Sequence, residues 1–194
     1  DQLKYLLKNP QIDILCSWEH TIDSYGKRGR DWKRSLNNYG EFLGPILLGI
    51  CPIWHPSIAF KKDSMINAGG FKVEYIRAED FEITARLAIK RYEAKIIEKF
   101  HLLQRQHQES QSKEFSKEMA DMSNRIQEET IAYFIDKDQA KKIAPFLRLE
   151  INLFETSFKN HIIEMSILLK KLLKNINQKQ KLNIQELNSL KKII

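Results

Sequence analysis

The chain has 194 residues, of which 42% are hydrophobic and 29% are charged, and this composition is typical of a globular protein rather than a disordered tail. The length suffices for one sizeable core, or for one core with an appended helical segment. No apolar run approaches the roughly 20 residues of a membrane-spanning helix. The formal net charge is +7, and it is unevenly spread. Its basic clusters either attract a polyanion such as nucleic acid, acidic lipid or a nucleotide diphosphate, or reflect a lysine-rich composition alone.

The first fifty residues carry mixed signals. Residues 1–8 read as the end of a helix that an Asn-Pro pair stops. The apolar run IDILCSW, residues 12–18, predicts a strand that leads into a turn marked by Gly26 and Gly29. Residues 31–50 are expected to begin with a helix, but their later part contains Gly and Pro too densely for a long regular element.

Strand and helix signals alternate in the next sixty residues. SIAFKK, residues 57–62, predicts a strand, and the residues after it predict a short helix that ends in a left-handed cap at Gly69-Gly70. Residues 78–92 predict a helix because apolar side chains recur on one face. Residues 95–107 predict a further strand. This alternation indicates an α/β layer architecture.

The character of the sequence changes after residue 113. The remaining stretch has no strand-like run and predicts three or four helices, the clearest of them over residues 160–177. We therefore expect an α/β part over residues 1–112 and an all-helical C-terminal extension over residues 113–194.

Two acidic residues at the start of the predicted helix, Glu79 and Asp80, are the main candidates for catalytic residues. Carboxylates in a first turn interact favourably with the helix dipole, and this is one sufficient reason for them. The alternative is a general base: ligands of α/β folds bind where strands end, and a carboxylate there can take a proton from a hydroxyl as the hydroxyl attacks. His55, in a His-Pro-Ser sequence, either caps a strand or borders the same site.

Four segments in order support the second interpretation: NPQIDILCSWEHTIDSYG, HPSIAFKKDSMINAGGF, AEDFEITARLA and QRQHQESQS. Together they resemble the second half of a family 2 glycosyltransferase with the GT-A fold, over roughly residues 1–112. The resemblance implies a partial GT-A, Rossmann-like mixed sheet with flanking helices. It also implies an inverting transfer of a sugar from a nucleotide-diphosphate donor to a hydroxyl of a glycan or lipid-linked acceptor, in surface polysaccharide or glycan biosynthesis.

The resemblance assigns roles to single residues near the acidic pair. Asp80 matches the catalytic base, and Glu79 matches its partner, which holds hydroxyls of the donor or acceptor. His55 and Ser57 match the His-Pro-Ser position beside the sugars. The Gly69-Gly70 turn matches the segment that shapes the same pocket.

Two further residues belong to the QRQH segment. Arg105 matches a contact to the diphosphate, and His107 matches a ligand of Mn²⁺ or Mg²⁺ in a loop that closes over it. An ordinary exposed histidine is the alternative for His107. The donor-binding half, with its metal-binding Asp-x-Asp motif, has no counterpart in the sequence, and Asp13 and Asp23 do not replace it. We expect the sequence to begin just downstream of that motif and to be inactive alone.

Two other functions remain open at this level. The helices after residue 113 could form a non-catalytic module that docks on an anionic membrane surface or a partner helix, or that forms a homo-oligomer. Binding of nucleic acid is disfavoured because the lysines are not interleaved with exposed aromatic residues. Cys16 and Cys51 are predicted to be reduced core thiols of a cytoplasmic protein, peripheral at most to the inner face of the membrane. Trp18 and Trp54 are predicted to be core residues.

Overall fold

The computed structural model describes residues 1–106, 115–150 and 158–194. Its strands are β1 (Ile14–Ile22), β2 (Arg28–Trp32), β3 (Ala59–Phe60) and β4 (Ala94–Arg105). Its α-helices are α1 (Gln2–Lys8), α2 (Tyr39–Leu47), α3 (Lys62–Ala68), α4 (Glu79–Ile89), α5 (Ser116–Ala132), α6 (Lys137–Leu147), α7 (Phe158–Gln180) and α8 (Ile184–Ile193), and short 3₁₀ turns cover His55–Ser57 and Val73–Tyr75.

The four strands form one mixed sheet, in which β1 pairs with each of the other three strands. Strands β2 and β3 run antiparallel to β1, and β4 runs parallel to it. A parallel pair needs a long crossover connection, and here α2, α3 and α4 lie within it. The structure is therefore an α/β arrangement with a helical C-terminal part, and this coarse prediction is confirmed.

Several predicted elements are confirmed, among them α1, α3, α4, β4 and the long α7. The interpretation of residues 31–50 was wrong, because this stretch begins in a strand and its helix, α2, extends into the Gly- and Pro-rich part. The glycines let α8 approach α2 closely. A Cβ on Gly40 would overlap the backbone carbonyl oxygen of Glu186, and one on Gly44 would lie 2.8 Å from the side chain of Ile193.

Two smaller predictions were also wrong. The His-Pro-Ser sequence forms a 3₁₀ turn, so the strand predicted from residue 57 shrinks to Ala59–Phe60 before α3 begins. The physical reason is Ser57, which turns its hydroxyl inward to bond the backbone of β1. Gly29 lies within β2 rather than in the turn.

One apolar core runs through the molecule. It contains Phe42 and Leu87 from the α/β part together with Ile131 and Leu172 from the C-terminal helices. The division at residue 112 stays a prediction, but buried residues from both of its sides pack into this core. Among the described residues, no helix has both the length and the apolar character that crossing a membrane would demand.

Candidate functional site

The candidate site lies toward the carboxyl ends of the parallel strands β1 and β4. Ile22 and Arg105, the last residues of these strands, are paired in the sheet. The neighbouring Gln104 lines a pocket of about 320 Å³, and the first turn of α4 lines it too. Ligand sites of α/β proteins concentrate at this edge of a parallel sheet, because loops and helix N-termini meet there.

Three of the predicted site residues come together in this pocket. His55 reaches it from the first 3₁₀ turn, and Glu79 and Asp80 reach it from the first turn of α4. Segments more than twenty residues apart thus supply an exposed imidazole and two half-buried carboxylates to one cavity. The common location of these three groups is what the sequence led us to expect.

The position of the Asp80 carboxylate is fixed locally. One of its oxygens, Oδ1, accepts a hydrogen bond from the Phe81 backbone N–H at 2.7 Å, and the Thr84 hydroxyl donates to the Asp80 carbonyl oxygen at 2.7 Å. Within the described part of the chain, no basic side chain forms a salt bridge with Asp80 or Glu79. A carboxylate without a cationic partner is free to accept a proton from a ligand hydroxyl.

The pocket contains no activated cysteine or serine nucleophile among the described residues. Burial, with a smaller contribution from the nearby Asp80 charge, raises the pKa of the Cys51 thiol to about 12, so the thiol stays protonated. Ser57 is buried, and its hydroxyl bonds the backbone oxygens of Ser17 at 3.1 Å and Trp54 at 3.2 Å. Its role in the structure is to fasten the 3₁₀ turn to β1.

A cation that the sequence did not single out also lines the pocket. Arg77 lies two residues before the acidic pair, and its guanidinium lies 3.5 Å from the ring centroid of Phe115, just before α5. Its Nε atom is 3.8 Å from a carboxylate oxygen of Glu118, which is a loose contact. The sequence signal that could have identified Arg77 is its position two residues before Glu79, where α4 begins.

The predicted glycines shape the surroundings of the pocket rather than its wall. Gly69 ends α3 with φ of +96°, the left-handed conformation that favours glycine. Arg86 of α4 donates to the carbonyl oxygen of Gly70 at 2.7 Å and to that of Ala68, and Glu82 holds Arg86 in turn. The turn is thereby tied to the helix that carries Asp80.

Arg105, the predicted diphosphate contact, does not line the pocket. The Arg105 guanidinium donates to the backbone oxygens of Asp23 at 2.8 Å and Ser24 at 3.0 Å, so it closes the turn between β1 and β2. His107 lies outside the described residues. Among those described, no group of three or more His, Cys, Asp or Glu side chains is arranged to hold a metal ion. We therefore assign no step to a metal.

The buried carboxyl group of Glu19 lies on the pocket face of the sheet, and sequence reasoning missed it. Glu19 pairs with Trp32 on β2 and with Leu102 on β4, and paired residues place their side chains on one face. Gln104, two residues beyond Leu102, lines the pocket. Both carboxyl oxygens of Glu19 are buried without a hydrogen-bond partner among the described residues, and burial raises the pKa of this group to about 7.

Trp54 links Trp32, the β2 neighbour of Glu19, to the pocket. Its ring lies 5.3 Å from that of Trp32, it lines the pocket, and its indole Nε1–H is buried without a partner among the described residues. The prediction that Trp54 is a plain core residue therefore needs correction, because the residue lines the pocket and is only partly buried. Trp18 packs against Phe100 and the core, as predicted.

Comparison of the chain with models of protein families, with curated proteins and with solved structures gave no match. The function is therefore argued from the chemistry of the pocket itself.

Proposed function

We propose that this chain forms the acceptor side of an inverting glycosyltransferase of the GT-A type, with Asp80 as general base. The observation that supports this most is the pocket shared by Asp80, Glu79 and His55 beside the carboxyl ends of parallel strands. It is the arrangement that the resemblance to family 2 glycosyltransferases implies for these three residues. A nucleotide-sugar donor and a hydroxyl-bearing acceptor are the proposed substrates.

The proposed step is a single displacement. The acceptor oxygen forms a bond to the anomeric carbon while the bond from that carbon to the diphosphate oxygen breaks. The hydroxyl proton passes to the Asp80 carboxylate, and the electron pair of the broken bond leaves on the nucleoside diphosphate. The absence of an activated thiol or serine from the described pocket favours this route over a covalent enzyme intermediate on those groups.

The other pocket residues have supporting roles in this proposal. Glu79 and His55 hydrogen-bond sugar hydroxyls, and Arg77 offers a positive charge to the departing diphosphate. Mn²⁺ or Mg²⁺, which the resemblance implies for donor binding, would neutralise the diphosphate and would need ligands beyond the described residues.

The decisive experiment compares two aspartates in the longest natural protein that carries this chain. Asp80 and Asp63 each occupy the second position of a helix, α4 and α3, but Asp63 is exposed and does not line the pocket. Asp80→Asn should lower sugar transfer by about 10²- to 10⁴-fold. Asp63→Asn also removes a negative charge from the first turn of a helix, and it should leave transfer unchanged.

Transfer would be followed as nucleoside diphosphate release from UDP-, GDP- and dTDP-sugars, with and without Mn²⁺. Thermal unfolding of both variants reports whether the fold is intact. If Asp80→Asn keeps more than roughly a tenth of the wild-type rate in a folded protein, Asp80 is not the base.

A non-catalytic membrane-binding module is the second candidate, and one observation on α7 favours it. Ile163 and Ile167 are 59% and 61% exposed, and Lys170 and Lys174 continue the same stripe at spacings of three and four residues. A basic and apolar stripe suits an anionic lipid surface. Salt-sensitive sedimentation with phosphatidylglycerol vesicles, weakened by Ile167→Ser, would support this function.

A further inference from the structure

An apolar lip borders the mouth of the pocket. We define the lip as Phe71, Val73 and Ile76, whose residues are 50%, 85% and 66% exposed. Ile76 lines the pocket, and the Phe71 ring lies 6.4 Å from the ring of His55, which lines it too. The exposed apolar surface is therefore continuous with the polar cavity.

The lip is held in its outward orientation by contacts on both of its flanks. On one side, Arg86 donates to the Gly70 carbonyl oxygen at 2.7 Å. Within the lip segment, Tyr75 is only 3% exposed, and its hydroxyl donates to Glu129 of α5 at 2.5 Å. On the other side, the Ala78 N–H donates to the Tyr75 carbonyl oxygen at 2.8 Å. An anchored segment that displays three apolar side chains to water marks a contact surface for something apolar.

The charged side chains of the pocket indicate which polar groups a ligand on the lip would carry. Arg77 follows Ile76 directly, and Glu79 and Asp80 lie beyond it in the same cavity. A molecule that contacts both the lip and Asp80 therefore meets an apolar surface and, in the adjoining cavity, a cation and two carboxylates. This combination suits an amphiphile with an apolar chain at one end and hydroxyls at the other.

We propose that the acceptor is such an amphiphile, with its hydroxylated head at Asp80 and its alkyl chain on the lip. The assignment of this ligand as acceptor rests on the proposed transfer, whereas its binding does not. A single alkyl chain matches the small area of the lip. Three side chains offer far less than the roughly 800 Å² that each partner buries in a stable protein–protein interface.

Alkyl glucosides of increasing chain length test the binding without any transfer. Methyl, hexyl and octyl glucoside would be titrated into the protein by calorimetry, at concentrations at which all three are monomeric. Affinity should rise by about two- to fourfold for each added methylene, because each one buries apolar surface on the lip. Val73→Ser and Ile76→Ser should each flatten this dependence.

Ile184→Ser serves as the matched control, because Ile184 is 81% exposed on α8 and does not line the pocket. It should preserve the full chain-length dependence. Equal affinity for all three glucosides, or a dependence that Val73→Ser and Ile76→Ser leave intact, would overturn the inference.

Two further outcomes would also overturn it, each in favour of another occupant. Binding to phosphatidylcholine vesicles without binding of monomeric octyl glucoside would make the lip a membrane contact. A dimer that Val73→Ser dissociates would make it an interface between copies. If Asp80→Asn leaves sugar transfer intact while affinity still rises with alkyl chain length, the proposed transfer mechanism is wrong and the amphiphile site remains.

Discussion

Glu19 gives a prediction in which pH and mutation act on the same buried group. The residue has no exposed surface, and within the described residues its two carboxyl oxygens have no hydrogen-bond partner. Burial raises its pKa from 4.5 to about 7. The fold therefore favours the protonated carboxyl, and it holds a proton over a pH range in which the unfolded chain has already lost it.

The sign of the pH dependence follows from this raised pKa. Below about pH 4.5 both states carry the proton, and the stabilising contribution of the neutral carboxyl is complete. The contribution is lost as the pH rises through about 7, because ionisation then leaves a charge without a partner in the described interior. We expect a loss of about 2 kcal/mol between pH 5 and pH 8, allowing for local relaxation around the charge.

Urea and thermal unfolding at pH 5 and pH 8 measure this loss. Glu19→Gln removes the titrating group, so its stability should change less with pH than that of the wild type. At pH 8 we expect Glu19→Gln and Glu19→Leu to unfold about 4–8 °C above the wild type. Glu74→Gln, at an exposed position, is the control and should follow the wild type. Parallel pH profiles of wild type and Glu19→Gln would refute the reasoning, and so would a Glu19→Gln protein less stable at pH 8.

The remaining predictions concern packing. Gly40→Ala should lower the free energy of unfolding by about 2–4 kcal/mol, because the added Cβ overlaps the Glu186 backbone. Gly26→Ala, with φ of +84° but open space, should lower it by only about 1 kcal/mol in the same urea titration. Ser57→Ala should lower the free energy of unfolding by about 1–3 kcal/mol, because it removes a hydroxyl that bonds the backbone of β1. The control Ser35→Ala, at an exposed position, should stay within about 0.5 kcal/mol of wild type. A Ser57→Ala protein as stable as wild type would show that the 3₁₀ turn does not depend on this hydroxyl.

The elements that could be predicted from the sequence are those with local causes. The helix α4 has apolar residues on one face and acids in its first turn, and α3 ends at a glycine that takes the left-handed conformation. The strands β1 and β4 are apolar enough to be recognised without knowledge of their partners. In each case the deciding interactions lie within a few residues of one another.

The failure at α2 has a cause distant in the sequence. Gly and Pro disfavour a helix by their own propensities, so a long regular element was not predicted for the run LGPILLGICPIW, residues 43–54. The structure makes residues 39–47 helical because Gly40 and Gly44 provide the close contact with α8, about 150 residues later, and because Asn38 caps the helix by accepting from the Glu41 N–H. A rule based on neighbouring residues cannot predict this packing against α8, which outweighs the low helix propensities of Gly and Pro.

The site shows the same limit. The acidic pair and His55 could be predicted because they form recognisable short motifs. Glu19 was overlooked because an acid in an apolar strand has no meaning until its cross-strand neighbours are known. Gln104 belongs to the pocket only through the pairing of β4 with β1.

The C-terminal helices complete the pocket as well as the core. Met119 of α5 lines the cavity, Phe115 supports the guanidinium of Arg77, and Glu129 accepts the hydrogen bond from Tyr75 within the lip segment. Without these three contacts, the cation and the lip would lose their supports on that side. The helix α5, which belongs to the segment that the sequence sets apart as an extension, is therefore one wall of the candidate site.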